Sequence, residues 1–128
     1  MKYLSTDWID AVRDAVASDE QLAAVAAETE LILQQVVTDT PFGEVGYFIT
    51  FDLGRVYVQA GVASTSDVAF TQDYETAIAV HEGRSSALEA FQTGRISIEG
   101  EIIKLRDNRA AIAELDRSFT RVNETIEY

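Results

Sequence analysis

The chain has 128 residues, 47% hydrophobic and 25% charged, and its 22 Asp and Glu outnumber ten Lys and Arg for a net charge of −12. That length suits one domain spanning residues 1–128, able to bury roughly two-thirds of its unfolded surface, and no stretch approaches the ~20 apolar residues of a membrane-spanning helix. The acidic excess argues against nucleic acid and anionic lipid head groups, which need a basic face, while the absence of cysteine removes disulfides, thiol nucleophiles and thiolate metal sites together.

The opening Met1-Lys2-Tyr3-Leu4-Ser5-Thr6-Asp7 has no apolar run and does not read as a secretory signal, so the expected compartment is the cytoplasm. Ser5 or Thr6 can cap a helix whose apolar positions Trp8, Ile9, Val12 and Val16 fall at helical spacing, with Asp7 near the positive end of its dipole. Ser18 with Gln21 makes a capping-box pattern for a second short helix through Leu22 and Val25. The acids here, among them Asp10, Asp14, Asp19, Glu20 and Glu28, are scattered rather than run together, a pattern that serves solubility.

From Glu30 the period changes to two. Leu31, Leu33 and Val37 alternate with Ile32, Gln34 and Val36, and Asp39-Thr40-Pro41-Phe42-Gly43 turns the chain into a second strand from Val45 to Phe51. There Tyr47, Ile49 and Phe51 share one face and Phe48 and Thr50 the other. Asp52-Leu53-Gly54-Arg55 turns into a third strand, with Val56 and Val58 opposing Tyr57 and Gln59. This is an antiparallel meander whose aromatic face requires a cover of helices.

A Ser- and Thr-rich loop after Gly61 leads to a strand from Asp67 to Gln72. An Asp73-led helix then places Tyr74, Ala77, Ile78 and His81 along one face. Ser86 with Glu89 is another capping box, opening a helix with Leu88 and Phe91 that ends at Gly94. The strand Arg95 to Glu99 follows. Beyond Gly100, Ile102, Ile103 and Leu105 form one apolar turn, and Asn108 or Asp107 is placed to cap a last helix presenting Ile112, Leu115, Phe119 and Val122.

Chemistry is scarce in this pattern. One histidine, no cysteine and no suitably spaced carboxylates leave no metal site. His81 has no nucleophile that the sequence places beside it, and its helical spacing from Ala77 and Ile78 suits a partly buried, hydrogen-bonded residue better than a general base. There is no nucleophile elbow, phosphate-cradling loop or dinucleotide fingerprint. Arg84-Ser85-Ser86 reads as a turn and a cap rather than an anion site. No catalytic residue and no cofactor is therefore expected.

The order of the segment DVAFTQDYETAIAVHEGRSSALEAFQTGRISIEG, residues 67–100, carries more. A strand entered through an Asp, a helix, the run Ala90-Phe91-Gln92-Thr93-Gly94-Arg95-Ile96, and Gly100 before a further helix resemble the core of the sterol-carrier-protein (sterol-transfer) domain family. The opening YLSTDWIDAV and the ending LDRSFTRVNETIEY resemble its small single-domain bacterial members, so the likeness covers essentially the whole chain. It implies an α+β fold in which a five-stranded, mainly antiparallel sheet is covered on one face by helices. It also implies a non-catalytic domain that holds, and can transfer, a hydrophobic small molecule, lipid, fatty acyl or sterol-like, in an apolar tunnel.

Carried over by position, the tunnel would be lined from the helices 73–82 and 86–93 and the segment after Gly100, giving Ile78, Leu88, Phe91, Ile103, Leu105, Leu115 and Phe119 as ligand-lining residues. The ending Ile126-Glu127-Tyr128 lacks the peroxisomal address of the eukaryotic carriers. A dry tunnel of ~400 Å³ would cost on the order of 10 kcal/mol, the whole stability of such a domain, so the implied tunnel is either occupied or collapsed. The alternative left open is an accessory module docking on a lipid- or quinone-metabolising enzyme. A protein partner or a homodimer through exposed sheet edges also stays open.

Overall fold

The computed structural model describes residues 1–124, 126 and 127; Thr125 and Tyr128, both in the terminal segment likened above to bacterial carriers, lie outside them. Two helices come first, α1 (Thr6–Ala17) and α2 (Glu20–Val25), followed by the strands β1 (Glu30–Thr40), β2 (Gly43–Asp52), β3 (Arg55–Ala60) and β4 (Val68–Asp73). Then come α3 (Tyr74–His81), α4 (Ala87–Gln92), β5 (Ile96–Gly100), α5 (Ile103–Asp107) and α6 (Arg109–Asn123).

Short polar side chains set most helix starts. Ser5 Oγ accepts from the Trp8 N–H at 3.2 Å to open α1, Asp73 accepts from Thr76 at 2.8 Å to open α3, and Ser86 accepts from Glu89 at 3.0 Å to open α4, each satisfying an amide with no partner inside its helix. Two expectations need correction. Ser18 does not cap α2: it ends α1, donating to the Asp14 carbonyl at 2.8 Å, and Asp19 caps α2 by accepting from the Leu22 N–H at 3.0 Å. The carboxylate one residue nearer to Leu22 reaches the amide that the serine cannot. Nor does Asn108 cap α6 with its side chain. Its Nδ2 turns back to the Lys104 carbonyl at 2.9 Å, closing the end of α5 instead.

The sheet runs in the order β3-β2-β1-β4-β5. β1, β2 and β3 form the expected antiparallel meander, β4 and β5 are also antiparallel, and β4 lies parallel to β1. Asp52 and Arg55 pair across a two-residue turn with both central residues at positive φ, Leu53 at 50° and Gly54 at 96°, the turn twist that suits a hairpin. The chain then crosses from β3 to the far side of β1. Asp67 fixes that return, its carboxylate accepting from the Ile32 N–H at 2.7 Å and from Lys104 Nζ at 2.7 Å.

Directly opposed residues share a face, so the register assigns the two sides. Leu33 stands opposite Ile49 and Val68, Ile49 opposite Val58, Gln35 opposite Tyr47 and Phe70, and Gln72 opposite Ile96. All of these lie on the helix-covered face. Trp8, Val12, Leu22, Leu31, Ile49, Phe51 and Val58 are buried almost completely where α1 crosses β3 and α6 packs on α1 and α2. The opposite face is partly open to solvent, with Ile32, Val36, Phe48 and Thr50 half-buried and Tyr57 and Gln59 exposed. There the buried Gln34 ties the sheet to the loop after β3, donating to the Tyr47 and Gly61 carbonyls and accepting from the Ala63 N–H.

Candidate functional site: a cavity between sheet and helices

A cavity of about 400 Å³ lies between the covered face of the sheet and α3, α4, α5 and α6. Its floor comes from alternate strand residues, chiefly Leu33, Gln35, Tyr47, Ile49, Phe70 and Gln72. Ala77, Val80 and His81 of α3 form one wall, joined by Ala87 at the start of α4 and Leu105 within α5. From α6 come Ile112, Leu115, Asp116, Phe119, Thr120 and Asn123. The small side chains of Ala77 and Ala87, set over a floor of large residues, leave room that leucines at those positions would take. A second depression of about 580 Å³ by the start of α1, the start of β2 and the end of β3 is larger but more open, a surface cleft.

Aromatic rings hold one end rigid. Tyr3 meets Trp8 edge-on at 5.1 Å and tilts over the His81 ring at 4.4 Å, and Trp8 meets Tyr47 at 5.4 Å and Phe119 at 5.8 Å, separations typical of favourable aromatic pairs. His81 Nδ1 lies 3.4 Å from Asn123 Nδ2. Burial lowers the His81 pKa, against a weaker upward pull from the Asn123 hydrogen bond and the charge of Glu82, so the imidazole is neutral at physiological pH.

Two further groups are displaced by the same environment. Burial raises the Tyr47 hydroxyl well above the usual phenol range, and the charge of Asp116 raises it further. Burial also raises the Asp116 carboxyl. Asp116 is nonetheless an exposed residue that also lines the cavity, so solvent screens part of this effect. Among the described residues no group of three or more His, Cys, Asp or Glu is arranged to hold a metal ion.

The sequence-derived lining set divides. Leu105, Leu115 and Phe119 stand on the cavity wall. Leu88, Phe91 and Ile103 instead face outward, 65%, 42% and 58% exposed, and Ile78 packs half-buried against the core away from the cavity. The reason is geometric: α4 has six residues and buries only Ala90, so its two large apolar side chains project from the other sides of a short helix. In α3 the wall is made by Ala77, Val80 and His81, spaced three and four apart, which turns Ile78 aside. The floor residues Gln35, Tyr47, Phe70 and Gln72 were missed. Strand alternation was a signal for them, since Gln35 occupies the same phase as Leu31, Leu33 and Val37.

The sequence profile of the SCP-2 sterol transfer family matches residues 9–113. No curated protein has a matching sequence. Among solved structures the chain is similar to a conserved hypothetical protein of Thermus thermophilus, at 22% identity and a TM-score of 0.75 over 95% of this chain and 90% of that one. It is also similar to a sterol carrier protein 2 at 22% identity and a TM-score of 0.71, over 98% and 100% of the two chains. Sterol carrier protein 2 of Yarrowia lipolytica, in its apo form, matches at 19% identity and a TM-score of 0.66 over 88% of each chain. These likenesses agree with the α+β fold, its mostly antiparallel five-stranded sheet and its one-sided helical cover, and with a profile match over most of its length the chain belongs to the SCP-2 sterol transfer family.

Proposed function

We propose that this chain is a single carrier domain that binds a hydrophobic small molecule, lipid, fatty acyl or sterol-like, in the cavity between sheet and helices, and releases it unchanged. The observation that carries this reading is a space of about 400 Å³ walled mainly by Leu33, Ile49, Phe70, Leu105, Leu115 and Phe119, of the size and apolar character of small-molecule sites. Kept dry, such a space would cost on the order of 10 kcal/mol. A guest with an apolar body removes that cost and buries its own surface at about 25 cal/mol per Å². Family membership supports binding and transfer in general terms, and the cavity's single neutral histidine supports a carrier rather than an enzyme.

Gently purified protein, extracted with organic solvent and examined by mass spectrometry, is expected to yield stoichiometric apolar compounds, and the stripped protein to take up a fluorescent lipid. Absence of both would overturn the reading. Exposed Leu88, Phe91, Ile102 and Ile103 favour a second one, docking as an accessory module on a lipid- or quinone-metabolising enzyme. Pull-down of such an enzyme, lost when Phe91 is replaced by Ser, would support it; a protein that stays monomeric and brings down no partner would remove it.

A further inference from the structure

The cavity is not uniformly apolar. Gln35 and Gln72 rise from the floor and Asn123 from α6, and the Oε1 atoms of both glutamines and the Oδ1 of Asn123 are buried with no hydrogen-bond partner among the described residues. Buried amide oxygens are ordinarily paired, so three around one cavity point to a polar group that belongs between them. A carboxamide turned end for end exchanges acceptor for donor. Its natural complement is a group that both donates and accepts.

Charge narrows the choice. No lysine or arginine is among the lining residues, His81 is held neutral by burial, and Asp116 is the one acid on the wall. Asp116 makes no ion pair and no side-chain hydrogen bond among the described residues, its carbonyl alone accepting from Thr120 Oγ1 at 2.8 Å. Asp116 and Tyr47 both line the cavity, so a charge on Asp116 acts on the space a ligand head would occupy. A carboxylate entering would meet like charge with no cation to offset it. An ammonium would be attracted, but it would lose its hydration in the same surroundings that already disfavour the Asp116 charge.

We infer that Asp116 makes this cavity discriminate against carboxylate-bearing lipids in favour of apolar molecules whose polar end is an uncharged hydroxyl, met by the carboxamides of Gln35, Gln72 and Asn123. This rests on the carrier reading above and adds a specificity-determining residue to it. Competition against one fluorescent uncharged lipid, with dodecanol, dodecanoic acid and dodecylamine as competitors on stripped full-length protein at about pH 7.5, where a free carboxylic acid is ionised, tests it. Dodecanol is expected to compete about tenfold better than either charged analogue, a difference of about 1.4 kcal/mol.

Asp116→Asn is expected to raise the affinity for dodecanoic acid by about tenfold relative to that for dodecanol, bringing the alcohol-to-acid ratio close to one. Gln35→Leu with Gln72→Leu is expected to weaken dodecanol relative to a hydrocarbon of equal length. Equal or tighter binding of the acid by the wild type, or an alcohol-to-acid ratio that Asp116→Asn does not change, would overturn the inference while leaving the carrier reading in place. Failure of the fluorescent lipid and every competitor to bind would overturn both.

Discussion

Gly100 offers a sharp test of how the cavity is anchored. It ends β5 opposite Val68 at φ +112°, and a Cβ built there would penetrate the Asp67 carbonyl oxygen and come within 3.1 Å of Asp67 C and Val68 Cα. All three are backbone atoms, which cannot swing away as a side-chain tip could. The chain next to it carries the structure into α5, with the Glu101 N–H donating to the Asp67 carbonyl at 2.8 Å and Lys104 meeting the Asp67 carboxylate. Gly94 is the control, since its φ is +79° and a Cβ there would meet nothing within 4 Å. Gly94→Ala bears only the left-handed conformational cost of ~1–2 kcal/mol. Gly100→Ala adds the cost of forcing packed atoms apart, ~1–3 kcal/mol, for a sum of ~2–5 kcal/mol. With an unfolding entropy of about 2.1 cal/mol/K per residue, a chain of this length loses ~4 °C per kcal/mol. Thermal melts should therefore fall by ~4–8 °C for Gly94→Ala and by ~8–20 °C for Gly100→Ala. Because α5 carries Leu105 to the wall, Gly100→Ala should also weaken uptake of a lipid probe where Gly94→Ala does not. Equal melting losses would refute the claim that close backbone approach, rather than φ alone, requires glycine at this position.

The remaining expectations concern charge and the cavity wall. Asp19 is held below the usual carboxylate range by its hydrogen bond from Ser118 and by the Leu22 amide, and Asp73 by the Thr76 amide and hydroxyl; at Asp67 burial opposes ionisation, but Lys104 and the Ile32 amide outweigh it. A depressed folded pKa contributes stability that is complete above the unfolded value near ~4 and is lost as pH falls through the folded one. Asp73→Ala should thus cost ~1 kcal/mol at neutral pH, with the gap to wild type closing below about pH 4 in pH-dependent melts. Asp116 has the opposite sign, because its raised pKa means the folded state prefers the protonated form. Asp116→Asn should raise the melting temperature at neutral pH, and the gain should vanish in acid as the wild type itself takes up the proton. Leu105→Trp should fill the cavity and reduce lipid-probe affinity by about tenfold, ~1.4 kcal/mol, as read by titration; unchanged affinity would move the binding site elsewhere. Leu88→Ser and Ile103→Ser should shift stability by less than ~0.5 kcal/mol and leave probe affinity intact.

Local signals carried the fold further than they carried the site. The meander from Glu30 to Ala60, the Ser5, Asp73 and Ser86 caps and the glycine stops at Gly83 and Gly94 are all settled by residues close in sequence, and each is present. The parallel pairing of β4 with β1 is not, since it depends on Asp67 reaching Ile32 across 35 positions. The cavity wall was partly legible on α6, where Ile112, Leu115 and Phe119 recur at helical spacing of three and four. On α4 the same reasoning pointed the wrong way. Six residues make too short a stripe for hydrophobicity to orient, and the buried alanine rather than Leu88 or Phe91 faces inward. Polar lining residues were least visible of all, because Gln35, Gln72 and Asn123 look like surface residues until the tertiary fold places them together.

Packing and open space are divided along the chain. Trp8, Phe51, Leu4, Leu22, Leu31, Ile49, Val12, Val37, Val58 and Val68 are the large side chains buried almost completely, and beyond Val68 the residues buried to that degree among the described ones are small, such as Ala90 and Ser118. Helix α1 lies across β3 and against α6, filling one half of the covered sheet face with Trp8 at its centre. Over the other half sit the short helices α3, α4 and α5, whose buried positions are chiefly alanines and Thr76. A close-packed half can hold the fold together while the alanine-rich half stands clear of the floor, since loss of interior contacts over a few small side chains removes far less burial than a gap beside Trp8 would. The boundary between the halves is the ring cluster of Tyr3, Trp8, Tyr47 and Phe119, which belongs to both: it seals the packed core and forms the rigid end wall against which a guest would rest. On the carrier reading, shape complementarity to a ligand would come from the close-packed half, while a change in the helices over the other half would leave undisturbed the residues that carry the stability.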